Sequence, residues 1–344
     1  MGRYFGGIVR NSTDSLPNTT ARTGAASGVW TIQEAAQLHG SGQYPVGEIA
    51  PDGRLNTTTA FIGRGFDNSR HVDIDQKSFD SNADATNWAD FTYTASARQR
   101  GSISSYTIGL VAGGFNCCGA VDIDTCNKIT FSTQADAADH GTISGGRVST
   151  CCHMSETKGF WAGGRNSSVR TDIEQKDMTS SGGTSDHGTL TTGIQDSGAM
   201  GTPTKMIICR IGAFSVDVNT IHSVDLTSSS NNVDFGDLLA TTDQVYCAGN
   251  DTVGIARDHH DGDTRTAADK ITFATNSDAV DHGDSTGLDE LGMVGDDVRV
   301  MIYGGIPSGY TDAIETLTYS SGGTASDYGD LTSAHDGSGG QSHN

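Results

Sequence analysis

Apolar residues in this chain come in short runs that end in small side chains, and the runs return at a near-constant spacing. Phe61-Ile62-Gly63 is followed by Leu110-Val111-Ala112-Gly113-Gly114, Phe160-Trp161-Ala162-Gly163-Gly164 and Met206-Ile207-Ile208. Val253-Gly254-Ile255-Ala256 and Met301-Ile302-Tyr303-Gly304-Gly305 complete the series. A second marker, an Asp, then an aromatic or His, then Gly, runs in phase with the first. It stands at Asp139-His140-Gly141, Asp186-His187-Gly188, Asp234-Phe235-Gly236, Asp281-His282-Gly283 and Asp327-Tyr328-Gly329, after a decayed copy at Asn87-Trp88-Ala89. The steps are 52, 47, 48, 47 and 46 residues. Two markers keeping one period define a repeat, and its length is that of a propeller blade.

The third repeat shows how one unit is built. Cys151 to Met154 is a short first strand, and Glu156-Thr157-Lys158 turns into a second, Gly159 to Ala162. Thr171 to Met178 alternates polar and apolar as a half-buried strand does. Gly182-Gly183-Thr184-Ser185 then leads into the Asp-His-Gly marker. Short Gly-, Ser-, Asn- and Asp-rich connections suit an antiparallel meander. Four-stranded units repeated radially predict an all-β fold, a six-bladed β-propeller, with seven blades as the alternative. The first strand of each unit lines the axis, where the side chains around Ile103, Cys152, Ala199, Cys247 and Met293 are slim. The first unit lacks an opening strand before Phe61. The tail 333–344 is expected to supply it and close the ring, with Val46 to Pro51 as the other candidate. The propeller is thus expected over residues 46–344.

Residues 1–45 differ in kind. Thr31-Ile32-Gln33-Glu34 has capping-box spacing and predicts one short helix. Trp30, Ile32 and Leu38 give it an apolar side, and a helix of that length needs a surface to dock on. The segment is therefore read as a docking element.

Composition first argues against any such fold. Leu, Ile, Val and Phe together number 62 of 344 residues, 18%, beside a net charge of −21. That combination ordinarily marks disorder. A repeat removes the conflict, because each blade buries its faces against two neighbours and needs few apolar residues. The acids are 36 Asp and only six Glu, which suits turns and works against helical bundles. The sign of the charge argues against nucleic acid and anionic membranes as partners. No apolar run reaches the length of a membrane helix, and the first residues carry no secretory h-region. Seven Cys, an odd number without a signal, read as small buried hydrophobes and not as a disulfide framework. Cys117-Cys118 and Cys151-Cys152 lack the spacing of zinc knuckles.

Candidate chemistry is sparse. One Asp-His-Gly looks catalytic, but its recurrence at the same turn points to Asp as a turn former and Gly at positive φ. Asp75, Asp124, Glu174, Asp269 and Glu315 also recur, on the third strand. They are expected on a solvated strand face, with a ring of cation sites as the alternative. His259-His260-Asp261-Gly262-Asp263 does not repeat and lies in a loop, where a metal or glycan contact is conceivable. No nucleophile elbow, phosphate loop, zinc-protease or EF-hand spacing is present. No catalytic residue, cofactor site or metal site is therefore expected.

The apolar runs closed by double Gly at 113-114, 163-164 and 304-305 resemble kelch-type blades. Closer still is a resemblance to the propeller-like repeat proteins of tailed bacteriophages, notably those of marine cyanobacteria. It rests on Asp327-Tyr328-Gly329-Asp330-Leu331-Thr332, on Asp234-Phe235-Gly236-Asp237-Leu238, and on the leader Ala26-Ser27-Gly28-Val29-Trp30 with Glu34. What the resemblance implies is a virion structural protein without enzymatic activity, a tail or tail-fibre component. It would be assembled in the host cytoplasm in several copies, and would pack on other virion proteins or meet a host-surface glycan or protein. A glycan-active enzyme on the same fold and a capsid-surface decoration protein are the competing readings.

Overall fold

The second strand of each repeat is buried along almost its whole length: Phe61 to Gly63, Leu110 to Ala112, Phe160 to Ala162, Met206 to Cys209 and Val300 to Tyr303. A strand reads as a continuous apolar run when both of its faces are covered. Here the cover on each face is the neighbouring blade. In a computed structural model the described residues are 59–67, 71–92, 97–98, 101–105, 107–116, 121–212, 216–259, 266–306, 309–336 and 340–342. They form an all-β six-bladed propeller of four-stranded antiparallel sheets, with the short strand Gly323–Thr324 added in parallel to the outer edge of blade 5, a small three-stranded sheet of Ala97–Arg98, Phe115–Asn116 and Val121–Asp122, and no helix among them. The docking segment with Trp30, Ile32 and Leu38 lies outside the described residues.

From axis to rim, blade 2 runs Gly101–Ser104, Ile108–Ala112, Thr125–Thr130, Ala138–Thr142. Blade 3 runs Cys151–Met154, Lys158–Ala162, Arg170–Asp177, Ser185–Ile194. Blade 4 is Gly198–Thr202, Lys205–Cys209, Val218–Asp225, Val233–Thr242, and blade 5 is Gln244–Gly249, Val253–His259, Ala267–Thr272, Val280–Asp284. Blade 6 is Gly292–Gly295, Arg299–Tyr303, Thr311–Thr318, Ser326–His335. Blade 1 takes its inner strand, Gly340–Ser342, from the C-terminal side, followed by Thr59–Gly63, Asp73–Ser78 and Thr86–Asp90. Gly340 pairs with Ile62 and Gln341 with Phe61, so the sheet that opens the ring is finished by the strand that ends it. The inner strands lie against one another in cyclic order, the last against the first.

The core is six separate clusters, one at each blade interface. The cluster between blades 3 and 4 joins Phe160, Ile173 and Leu190 to Met206, Ile208 and Val224. Between blades 6 and 1, Met301, Tyr303 and Ile314 meet Ala60, Ile62 and Phe79. Stability in such a ring comes from nearest-neighbour interfaces, which is why so low an apolar content suffices.

The marker glycines set how closely the blades approach. Gly283 has φ +131, and a Cβ there would lie 1.9 Å from Gly323 O of blade 6. Gly283→Ala is therefore expected to cost at least the ~1–3 kcal/mol of an overpacked contact, measured as a lowered urea midpoint. Gly309→Ala, which meets nothing within 4 Å, is the control and should leave the midpoint unchanged.

Candidate functional site

The recurrent polar residues converge on the seams between blades. At three of the five markers the Asp folds the turn back on itself: Gly141 N, Gly283 N and Gly329 N donate to Oδ1 of Asp139, Asp281 and Asp327 at 2.9, 3.1 and 3.1 Å. The middle residue reaches into the next blade. His187 Nε2 donates to Asp225 O (2.8 Å), His282 Nε2 to Thr318 O (2.7 Å), and the Tyr328 hydroxyl to Phe79 O. Three residues after the marker Asp, a backbone N–H donates to a side chain of the next blade. Asp90, Thr189, Asp237 and Asp330 bond in this way to Asp136, Asn231, Asp278 and Asp84, at 3.2, 3.0, 3.1 and 3.2 Å.

A further clasp lies five residues after the marker Asp. Ser144 N donates to Glu174 Oε2 (3.0 Å), Leu239 N to Asp269 Oδ2 (2.9 Å), Thr286 N to Glu315 Oε2 (2.9 Å) and Thr332 N to Asp75 Oδ2 (3.0 Å). In blade 2 the acceptor is Asn127, which takes both Thr92 N and Thr92 Oγ1 on its Oδ1. In blade 4 the third-strand position is His222. There Asn232 bridges, accepting from Thr191 N (2.8 Å) and donating to His222 Nδ1 (2.6 Å). All six interfaces carry this bond.

For three of the five acids these clasps overturn the expectation of a solvated face, while Glu315 keeps partial exposure. Asp75, Glu174 and Asp269 are buried, at 2, 4 and 4% exposure, because each carboxylate is consumed by the preceding blade. Asp124 is not one of the set: it precedes its strand and is exposed, and Asn127 holds the equivalent place. Nor do the members form a cation ring, since each sits in its own seam. Among the described residues no group of three or more His, Cys, Asp or Glu side chains is placed to hold a metal ion. Of the non-repeating His259 to Asp263 cluster, residues 260–263 lie outside the described residues, as do Cys117 and Cys118.

Three guanidinium groups escape sequence reasoning altogether: Arg147, Arg210 and Arg257, exposed by 0, 1 and 0%. Arg147 lies on the link between blades 2 and 3. It donates to Asp172 Oδ2 (2.9 Å), Glu174 Oε1 (2.5 Å), Gly163 O (3.1 Å) and Ser144 O (2.8 Å). Burial alone would raise the Asp172 carboxyl, but hydrogen bonds from Arg170 and the Arg147 charge outweigh it and hold its pKa at about 2. Arg210 follows the second strand of blade 4 with φ 67 and bonds Thr242 O, Gln195 O and Val216 O. Arg257 bonds Ser285 Oγ and the carbonyls of Asp258 and Thr286. Each of the three satisfies carbonyls of its own seam.

The chemical capacity of these groups is correspondingly low. Asp172 and Glu174 meet at one guanidinium, and both are committed to Arg147. Asp269 has the pKa of a general acid, raised by burial to about 6. It is shut between blades 4 and 5, however, and accepts Leu239 N–H.

No family model and no curated protein matches this chain. Among solved structures it is similar to the one described as "Structure of YjhT", with a TM-score of 0.58 and 9% identity over 71% of this chain and 87% of that one. At that identity the likeness is one of fold, and the fold is the propeller.

Proposed function

We propose that this chain is a virion structural protein of a tailed phage, a tail or tail-fibre component that catalyses nothing. It displays a rigid propeller, either for attachment to the host or for packing on neighbouring virion proteins. The observation that carries the reading is what the phage-like motif does in the ring. Asp327 folds its turn onto Gly329 N, Tyr328 bonds Phe79 O, Asp330 N bonds Asp84, Leu331 is buried, and Thr332 bonds Asp75. Asp327 to Thr332, the fullest of the stretches that carry the resemblance, thus lock blade 6 onto blade 1. The other recurrent polar groups are likewise spent on cohesion, which leaves loops and rims as the presenting surface. That economy suits a scaffold better than a catalyst, whose polar groups are held ready for substrate.

Purified particles decide the matter. Mass spectrometry is expected to find the chain in several copies per virion, and labelled antibody to decorate tails or fibres. Absence from purified virions sinks the proposal, and label over the capsid transfers the protein to the decoration class. Host polysaccharide incubated with the protein is expected to yield no new reducing or unsaturated ends. Their appearance would favour the enzyme reading.

A further inference from the structure

The seam between blades 4 and 5 holds two thiols that nothing above uses. Cys209 ends the second strand of blade 4 and pairs across the ladder with Gly198. Cys247 lies on the inner strand of blade 5, and its Sγ rests over Gly198, 2.4 Å from where a Cβ would be. Paired residues of a ladder point to the same face. Cys209 therefore presents its thiol beside the gap that Gly198 leaves and Cys247 fills. Both sulfurs belong to the same interface cluster, with Ile207, Ile221 and Val245 around them, and both are free. Cys209 is fully buried, whereas Cys247 keeps partial exposure.

We infer that Cys209 and Cys247 are a disulfide-forming pair, which staples blade 4 to blade 5 once the protein meets a disulfide oxidant. The chemistry is thiol–disulfide exchange. The Cys247 thiolate attacks a small disulfide, and its sulfur bonds to one half while the other half leaves as a thiolate that takes up a proton. Cys209 then loses its proton to solvent and displaces the second half. One protein disulfide forms, and one small disulfide is reduced to two thiols. Burial lifts the Cys247 thiol well above its ordinary value. Little thiolate is present near neutrality, and the step is slow there and faster in alkali. Gly198 is what makes the contact possible, since any larger residue would push the Cys247 sulfur away. This inference is independent of where the protein acts.

The folded protein, incubated with hydroxyethyl disulfide at neutral and at alkaline pH, is alkylated and digested without reduction. The expected product is a peptide joining Cys209 to Cys247, formed at least tenfold faster at the higher pH and lost on reduction. A raised melting temperature should accompany it, abolished in both Cys209→Ser and Cys247→Ser. Three results would overturn the inference: both cysteines fully alkylated at every pH, Cys247 arrested as a mixed disulfide, or Cys151 joined in place of either. The wild-type peptide map decides even if a variant folds poorly.

Discussion

Replacing Arg147 with Met is expected to cost about 3–5 kcal/mol at neutral pH, the range for breaking a buried ion pair from one side. The side chain is fully buried, and its removal strands Glu174, itself only 4% exposed, with the thirsty oxygen that the guanidinium satisfied. Methionine fills much of the volume, so the loss is one of charge pairing and of the bonds to Gly163 O and Ser144 O. Arg170→Met is the control. Arg170 also binds Asp172, yet from the surface, with 22 and 28% of the two side chains exposed. It should cost at most ~1 kcal/mol. Part of either penalty depends on pH. Asp172 titrates near 2 in the folded protein and near 3.9 when unfolded. Its contribution is complete above the unfolded value and drains away as pH falls toward the folded one. Arg170 lowers Asp172 more than Arg147 does, so the penalties of Arg147→Met and Arg170→Met should each shrink in part between about pH 4 and 2. A penalty of Arg147→Met below ~1 kcal/mol at neutrality would refute the buried pair.

The repeat was legible in the sequence because turn chemistry leaves few choices. Where a blade must turn and let its neighbour within contact of the backbone, Asp and Gly return, and so does their spacing. The six-bladed propeller followed from that spacing. The role of Asp75, Glu174, Asp269 and Glu315 was not legible. Their donors lie in the preceding blade, and for Asp75 the donor Thr332 is 257 residues away along the chain. A strand's alternation tells which face a residue occupies, not whether another sheet covers that face. Asp124 shares the acidity of the set but not its register, for Asn127 holds the equivalent place. Arg210, one of the buried arginines, was hidden by substitution among equivalents. The residue after the second strand is Gly113, Gly163 or Gly304 in three blades, with φ 74, 62 and 62, and Arg210 adopts φ 67 at the same place. A repeat that trades Gly for Arg at one backbone geometry erases the signal a pattern search looks for.

Ring closure is where the second large effect is expected. Deletion of 337–344 removes the inner strand of blade 1 and leaves Thr59–Gly63 with a bare edge. The inner strands of blades 2 and 6 lose the neighbour they share. Phe61 and Ile62, at 3 and 0% exposure, then lose part of their cover. Were both fully released, the cost would be about 3–6 kcal/mol at ~1.5–3 for each large side chain. Hydrogen exchange should show loss of protection at those amides of residues 60–62 that faced the deleted strand, while blades 3 and 4 stay slow, because repeat interfaces fail locally. A melting curve unchanged by the deletion would mean that the blades cohere without a closed ring. The side-chain half of the closure can be tested apart from the strand. Asp75 accepts Thr332 N at 3.0 Å and Thr332 Oγ1 at 2.7 Å on Oδ2. Asp75→Ala leaves that donor unpaired and should cost about 1.5–3 kcal/mol, the range for bonds to a charged acceptor. Asp75→Asn should recover most of it, for the protein already uses that solution one blade on. Asn127 takes the backbone N–H and hydroxyl of Thr92 in the same arrangement, at 3.1 and 2.6 Å, with no charge at all. If Asn failed where Asn127 succeeds, the bond count would not be what holds blade 6 to blade 1. The negative charge of Asp75 would then be the quantity that matters at the closure.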